Sequence, residues 1–405
     1  MSIFKKIFLL IASLITLIIM CNIVYHYPSQ EQIIEKTAIL NGVSVAVRSI
    51  DIDDTNYEDV EFFEEILRDK RIVLLGEHAN SNKTTYEAKS RIIRYLHERL
   101  GYNVVLYEAG LYDMWYMDTR DTLNPSVGIS LLSNDECRPL WDYYQNSKQS
   151  ENPILLGGFD IRPSGQIITT DLSRSIENYL SEKGVELVDY PSFRTMINSI
   201  YGNYWEFRNM ENSLFDSIQS DLSLVLEQLK TDKDDYIDEI YYRYLSGIKV
   251  YNELRRGAPK RTSIYTLIAD NMLWLVDEVY KEEKIIIWTT NAQIFNDDTH
   301  LNYKPLGTYI KERYGNASYS MAFTSYSSKR KNGHIYNASS NKSVEYLLHL
   351  NNNKYSFINL NNNERSFLDE NVISNVSQIR NTQNNWKKQF DGVFFIDAAT
   401  PFNAK

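Results

Sequence analysis

Only two cysteines, Cys21 and Cys137, occur among the 405 residues. They form no C-x-x-C pair, which removes the usual zinc and thiol-redox readings. Cys21 lies inside an apolar N-terminal stretch, so a disulfide to Cys137 is not expected. Sparse cysteine fits a reducing compartment, yet many bacterial extracytoplasmic proteins also do without disulfides, so the count leaves the compartment open. Basic residues are in the minority, 43 Lys and Arg against 53 Asp and Glu, a formal net charge of −10. This excludes a nucleic-acid partner of the wrapping kind, which needs a basic face to neutralise phosphates. No G-x-S-x-G elbow, P-loop, G-x-G-x-x-G or H-E-x-x-H is present, which disfavours a serine hydrolase of the common α/β type. There is no internal repeat.

Charge and apolar content are ordinary for a globular chain, so wholesale disorder is not expected. The length allows one large domain or two ordinary ones. One long apolar run exists, from Ile7 to Tyr25, interrupted only by Ser13, Thr16 and Asn22 and preceded by Lys5 and Lys6. About 20 apolar residues span a bilayer as a helix, and this run just reaches that. No small-x-small cleavage site follows, so residues 1–28 read first as a retained signal anchor, with Lys5 and Lys6 inside and the rest outside the cell. A lipoprotein at Cys21 and a cleaved signal remain as alternatives. The expectation is a single-pass membrane protein with an extracytoplasmic domain.

Beyond this segment, residues 29–70 read as a linker and lead-in, and 71–405 as one α/β domain. Arg71 to Gly76 is apolar throughout except at its start, as in a parallel strand covered on both faces. Thr84 and Glu87 have capping-box spacing, and Ala88, Ile92, Leu96 and Leu100 then mark one face of a helix. Further strands are expected at Asn103–Tyr107, Ile154–Gly157, Lys284–Thr289 and Val393–Ile396. Residues 171–280 carry no strand signal and read as an inserted helical subdomain. Strands separated by helices predict a mostly parallel central sheet flanked by helices. Asn351 to Asn353 and Asn361 to Asn363 read as exposed turns.

The functional signal lies at the strand ends: Glu77, Glu108 and Asp160 follow the first three strands, and Asn291 closes the fourth. Ligands of open α/β sheets bind beyond the carboxyl ends of the strands. Acidic groups delivered there need a cation, a proton or good donors. The plainer reading is that each carboxylate caps the next helix or pairs with a nearby Lys or Arg. Glu77, His78, Glu108 and Asp160 have side chains that suit a divalent metal, but no ligand spacing supports one, and neither a metal nor another cofactor is expected. The histidines at 26, 97, 300, 334 and 349 sit in no motif.

Several pieces in order resemble the erythromycin esterase family. Gly76-Glu77-His78-Ala79-Asn80-Ser81, running into Tyr86-Glu87-Ala88-Lys89, is similar to the family's G-E-x-x-H-G opening. Val105-Leu106-Tyr107-Glu108 resembles the next strand, and Gly158-Phe159-Asp160 a G-F-D motif. Asn271 to Leu275, followed by Ile287-Trp288-Thr289-Thr290-Asn291-Ala292-Gln293, resembles the helix and the W-x-H-N-x-H strand end. Asp391 to Asp397 resembles the closing strand. The resemblance covers Arg71 to Pro401.

The resemblance implies a hydrolase fold in which a histidine and a glutamate activate water against an ester, in a setting of antibiotic response, although it does not make a macrolide the substrate. Asn80 stands where the family has its first histidine, and Thr290 and Gln293 where the later motif has two. Ile264 and Tyr265 replace an Arg-Asp pair. Imidazole accepts a proton near neutral pH, and amides and hydroxyls do not. The expectation is therefore a catalytically degenerate member that binds a small-molecule ligand or a partner, with Asn80, Lys89, Asp160, Trp288, Thr290, Asn291 and Gln293 lining the site. The alternative is an active hydrolase rebuilt around Glu77, His78 and Glu108. A surface scaffold with a vestigial cleft is the third reading. His78 itself reads either as a replacement base or as an exposed or backbone-bonded loop histidine.

Overall fold

The computed structural model describes residues 29–78, 82–119, 124–165, 169–185, 209–231, 235–257, 261–299, 301–329, 333–337, 340–361, 366–376 and 382–402, with isolated residues between 191 and 197. In chain order the strands are β1 (Ser44–Val47), β2 (Ile72–Leu75), β3 (Tyr102–Gly110), β4 (Leu155–Asp160), β5 (Lys284–Trp288), β6 (Ser318–Lys329), β7 (Ile335–Asn337), β8 (Tyr355–Asn359), β9 (Val372–Ser374), β10 (Thr382–Asn384) and β11 (Gly392–Ala399). The fold is α/β, with a mostly parallel sheet flanked by helices. The chain divides into two compact units, residues 1–49, 77–85 and 321–405 in the first and 50–76 and 86–320 in the second.

In the second unit the strand order is β2-β5-β3-β4, every pair parallel. Ile72–Leu75, Val104–Tyr107 and Ile285–Trp288 are buried, the continuous apolar pattern of strands covered on both faces. The Lys83–Leu100 helix buries Ala88, Ile92, Leu96 and Leu100 as its spacing predicts, and buries Ile93, Tyr95 and Arg91 as well. Arg91 escapes an uncompensated buried charge by gripping both Asp59 oxygens, at 2.9 and 2.7 Å. The start of this helix differs from the expected capping box. Asn82, not Thr84, accepts the Thr85 N–H at 2.8 Å, and the Thr84 hydroxyl meets that of Thr400 at 2.9 Å. Asn82, Thr84 and Thr85 all carry side-chain acceptors here, and the spacing rule alone does not choose among them.

Between β4 and β5 the described chain is helical: Thr169–Glu182, Asn212–Thr231, Tyr236–Arg255 and Arg261–Trp274. Aromatic rings join these helices, with Tyr179 stacked on Tyr241 at 3.9 Å and Tyr112 against Tyr244 at 4.6 Å.

In the first unit β8 pairs antiparallel with both β1 and β11, β11 runs parallel to β6, and β7 hangs antiparallel on β6. The Gln30–Val43 helix, closed by a Ser29 capping box, packs against the Val344–Leu350 helix. Strands β6 and β8 carry little sequence signal: Ser318–Lys329 is rich in Ser, Thr and Tyr, and its burial comes from neighbouring layers. The polar turn expected at Asn351–Asn353 is present, with Asn352 at φ 61°.

The expectation of a membrane-anchored, single-pass protein is corrected. No helix among the described residues is long and apolar enough to cross a membrane, and membrane partnership and surface localisation through such a helix are withdrawn. Residues 1–28, on which that expectation and the lipoprotein alternative rested, lie outside the described residues. Cys137 is buried.

Candidate functional site at the strand ends

Parallel strands in the second unit deliver their carboxyl ends to one edge, and a bulge aims the key side chain there. The register of β3 against β4 shifts between Tyr107 and Gly110, with Glu108 inside the irregularity. Bulges of this kind bend a strand and re-aim one residue. Gly158 in β4 makes room for it: a Cβ there would stand 2.6 Å from the Ala109 carbonyl oxygen and 2.7 Å from that of Gly110. The glycine of the Gly158-Phe159-Asp160 motif is thus needed for a close backbone approach.

Arg162, two residues beyond β4, ties the acids together. Its Nε donates to both Asp160 oxygens at 2.9 Å, its Nη2 donates to Asp160 as well, and the same Nη2 lies 3.3 Å from Glu108 Oε1. Asp160 also accepts the Arg162 backbone N–H at 2.8 Å. The Asp160 side chain is 5% exposed, that of Glu108 20% and that of Arg162 45%. Burial pulls the guanidinium pKa down, but the hydrogen bond and charge of Asp160, then Glu108, outweigh it and hold Arg162 above its ordinary value. The Thr289 hydroxyl donates to the other Glu108 oxygen. Tyr265 and Tyr303 stand 5.2 Å apart beside this cluster. Burial, with Tyr265 and Glu108 next to it, pushes the Tyr303 phenol up to about 12.

Lys89 and Trp288, both expected to touch a ligand, meet each other. Lys89 is fully buried with its Nζ 4.1 Å from the centre of the Trp288 ring, a cation–π contact in a dry setting. Trp288 also packs on Tyr107 at 5.4 Å and Tyr86 at 5.1 Å. Beyond β5, residues Asn291–Gln293 form one 3-10 turn, closed by the Gln293 N–H on the Thr290 carbonyl at 3.0 Å. Asn291 is buried, and its Oδ1 lies where a Cβ on Gly76 would have to go. Gln293 is buried too, and its amide oxygen has no hydrogen-bond partner among the described residues. An unpaired buried acceptor is rare and calls for a reason.

Glu77 and His78 belong to the first unit. Both are half-buried, and His78 Nε2 lies 3.0 Å from the Asn375 carbonyl oxygen. Asn80 lies outside the described residues. Among the described residues no three His, Cys, Asp or Glu side chains are grouped to hold a metal ion. Arg162 and Thr289 were not singled out from sequence. The D-x-R spacing at a strand end was the available signal for Arg162, since two residues on from a strand-end acid a long cation folds back onto it. Nothing in the sequence marked Asn375.

The chain is thus an α/β protein whose mostly parallel sheet gathers acids and their partners at its carboxyl edge, where ligands of open sheets bind. The family model for erythromycin esterase matches residues 97–399, and the chain belongs to that family. The match takes in the later motifs and begins beyond the Gly76–Lys89 segment. The chain is 23% identical over 338 residues to "Putative hydrolase YbfO" of Bacillus subtilis (strain 168), covering 73% of each. Among solved structures it is similar to a Bacillus cereus protein, with TM-score 0.75, 16% identity and coverage of 93% of this chain and 100% of the other. It is also similar to a histidine-to-asparagine mutant of erythromycin esterase EreC in an open conformation, with TM-score 0.63, 16% identity and coverage of 89% and 98%.

Proposed function

We propose that the chain keeps the family's strand-end site to bind a small-molecule ligand and does not turn it over. The observation that carries this reading is the occupancy of the acids. Glu108 accepts from Arg162 on one oxygen and from Thr289 on the other, and Asp160 is gripped by Arg162. With their oxygens engaged by these donors, neither acid presents an open acceptor aimed at an attacking water. Water attacking an ester must give up a proton, and a positioned general base is worth about 10² to 10⁴ in rate. Thr290 and Gln293 offer no such base, while the unpaired Gln293 oxygen suits a ligand donor.

An active hydrolase using Glu77, His78 and Glu108 is the second reading. It is favoured by the His78 ring, whose Nε2 bond to a carbonyl leaves Nδ1 as the basic nitrogen. The test is hydrolysis of macrolide and aryl esters by the wild type, His78→Ala and Glu77→Gln. No turnover in any of them, with intact circular dichroism, supports binding alone. Turnover abolished by either substitution establishes the hydrolase.

A further inference from the structure

The first unit contains a buried acid that neither reading above employs. Glu345 lies at the start of the Val344–Leu350 helix and is fully buried. Its Oε1 accepts the Ser374 hydroxyl and the Asn375 N–H, the latter at 3.2 Å, and lies 2.8 Å from Thr324 Oγ1. Its Oε2 is buried without a hydrogen-bond partner among the described residues. None of the three groups around Oε1 is charged, so an ionised Glu345 would lack the partner that buried charges require.

Proton counting sharpens the point. Thr324 has one hydroxyl proton and two neighbouring oxygens, Glu345 Oε1 at 2.8 Å and Asn375 Oδ1 at 2.6 Å. The Asn375 amide cannot be turned over, because its Nδ2 donates to the Ser325 carbonyl at 3.1 Å. With Glu345 ionised, one of the two Thr324 contacts would press oxygen on oxygen with no proton between. A proton on Oε1 satisfies both: Glu345 donates to Thr324, and Thr324 donates to Asn375. Burial drives the Glu345 pKa upward, against the opposing pull of its bonds from Ser374 and Thr324.

Asn375 is then held at every polar group. Its N–H goes to Glu345, its Oδ1 takes Thr324, its Nδ2 goes to Ser325, and its carbonyl faces His78 Nε2 at 3.0 Å. A carbonyl only accepts, so Nε2 carries the hydrogen and the neutral ring is basic at Nδ1. We infer that Glu345 is a neutral carboxylic acid and the positioning residue that, through Thr324 and Asn375, holds His78 in its Nε2–H tautomer. The inference stands whether or not the chain turns over an ester.

The test is nuclear magnetic resonance on the full chain, labelled at glutamate carboxyl carbons and histidine ring nitrogens. At pH 7 the Glu345 signal, identified by its loss in Glu345→Gln, should lie among protonated acids. At pH 8, where a free imidazole is neutral, the His78 signal, identified by its loss in His78→Ala, should show Nε2 protonated. Glu345→Gln supplies an amide donor in place of the acid and should keep that tautomer. Glu345→Ala and Thr324→Val should each lower the ratio of Nε2–H to Nδ1–H by roughly fivefold, the worth of one ordinary hydrogen bond. A carboxylate signal for Glu345 at pH 7 overturns the inference, whether or not Glu345→Ala folds. An unchanged His78 ratio in folded Glu345→Ala or Thr324→Val overturns it equally.

Discussion

Replacing Arg162 by Met removes the cation that unites the strand-end acids while keeping most of the side-chain stem. Asp160, whose side chain is 5% exposed, loses its bonds from the guanidinium, and Glu108 loses the donor on its Oε1. Breaking a buried ion pair by removing one partner costs about 3–5 kcal/mol, whereas exposed pairs are worth about 0–1. Arg162 is 45% exposed, so water screens one side of the pair and the figure is discounted. The Asp160 oxygens also keep the backbone N–H of residue 162. The expected loss is about 2–3 kcal/mol at pH 7, read as a lower urea midpoint by circular dichroism. The variant must either keep a lone carboxylate buried or protonate it. Adding Asp160→Asn should recover at least half of the loss, because the charge left unpaired is then gone. A variant within about 0.5 kcal/mol of wild type at pH 7 would mean that Arg162 supports neither acid, because surface substitutions away from such pairs also stay in that range.

Gly76→Ala should cost about 1–3 kcal/mol through overpacking, since its methyl would meet Asn291 Oδ1 and Ile294 Cδ1; the urea midpoint measures this. Asn80→His alone should leave macrolide ester hydrolysis, followed by product release, at background, because Thr290, Gln293 and the Ile264–Tyr265 pair are unchanged. The stability contributed by Glu345 follows from its raised pKa in the fold. It is fully present below the unfolded value of about 4.3 and lost as pH rises through the higher folded value. Glu345→Gln should therefore gain on the wild type as pH is raised from 4 to 8, and a constant difference across that range contradicts the raised pKa.

The layered plan of this protein is legible in its residue pattern. Continuous apolar runs at 72–75, 104–107 and 285–288 have no stable place except inside a sheet covered on both faces, and period-four apolar spacing from Ala88 to Leu100 forces one helical face inward. The same pattern put Asp160 at the last residue of β4 and Glu108 two residues short of the end of β3, both near the carboxyl edge. Strands such as β6 and β8 were illegible, since polar, half-alternating segments become strands only through their neighbours' pairing. The partners of these residues come from contacts between distant parts of the chain. Lys89 and Trp288 satisfy each other inside the core, Arg162 folds back over two acids set by a bulge, and Asn375, 297 residues from His78, chooses which ring nitrogen holds its proton. Spacing rules read only local contacts. Partnerships among groups far apart in the chain depend on distances of a few ångströms that no local pattern encodes.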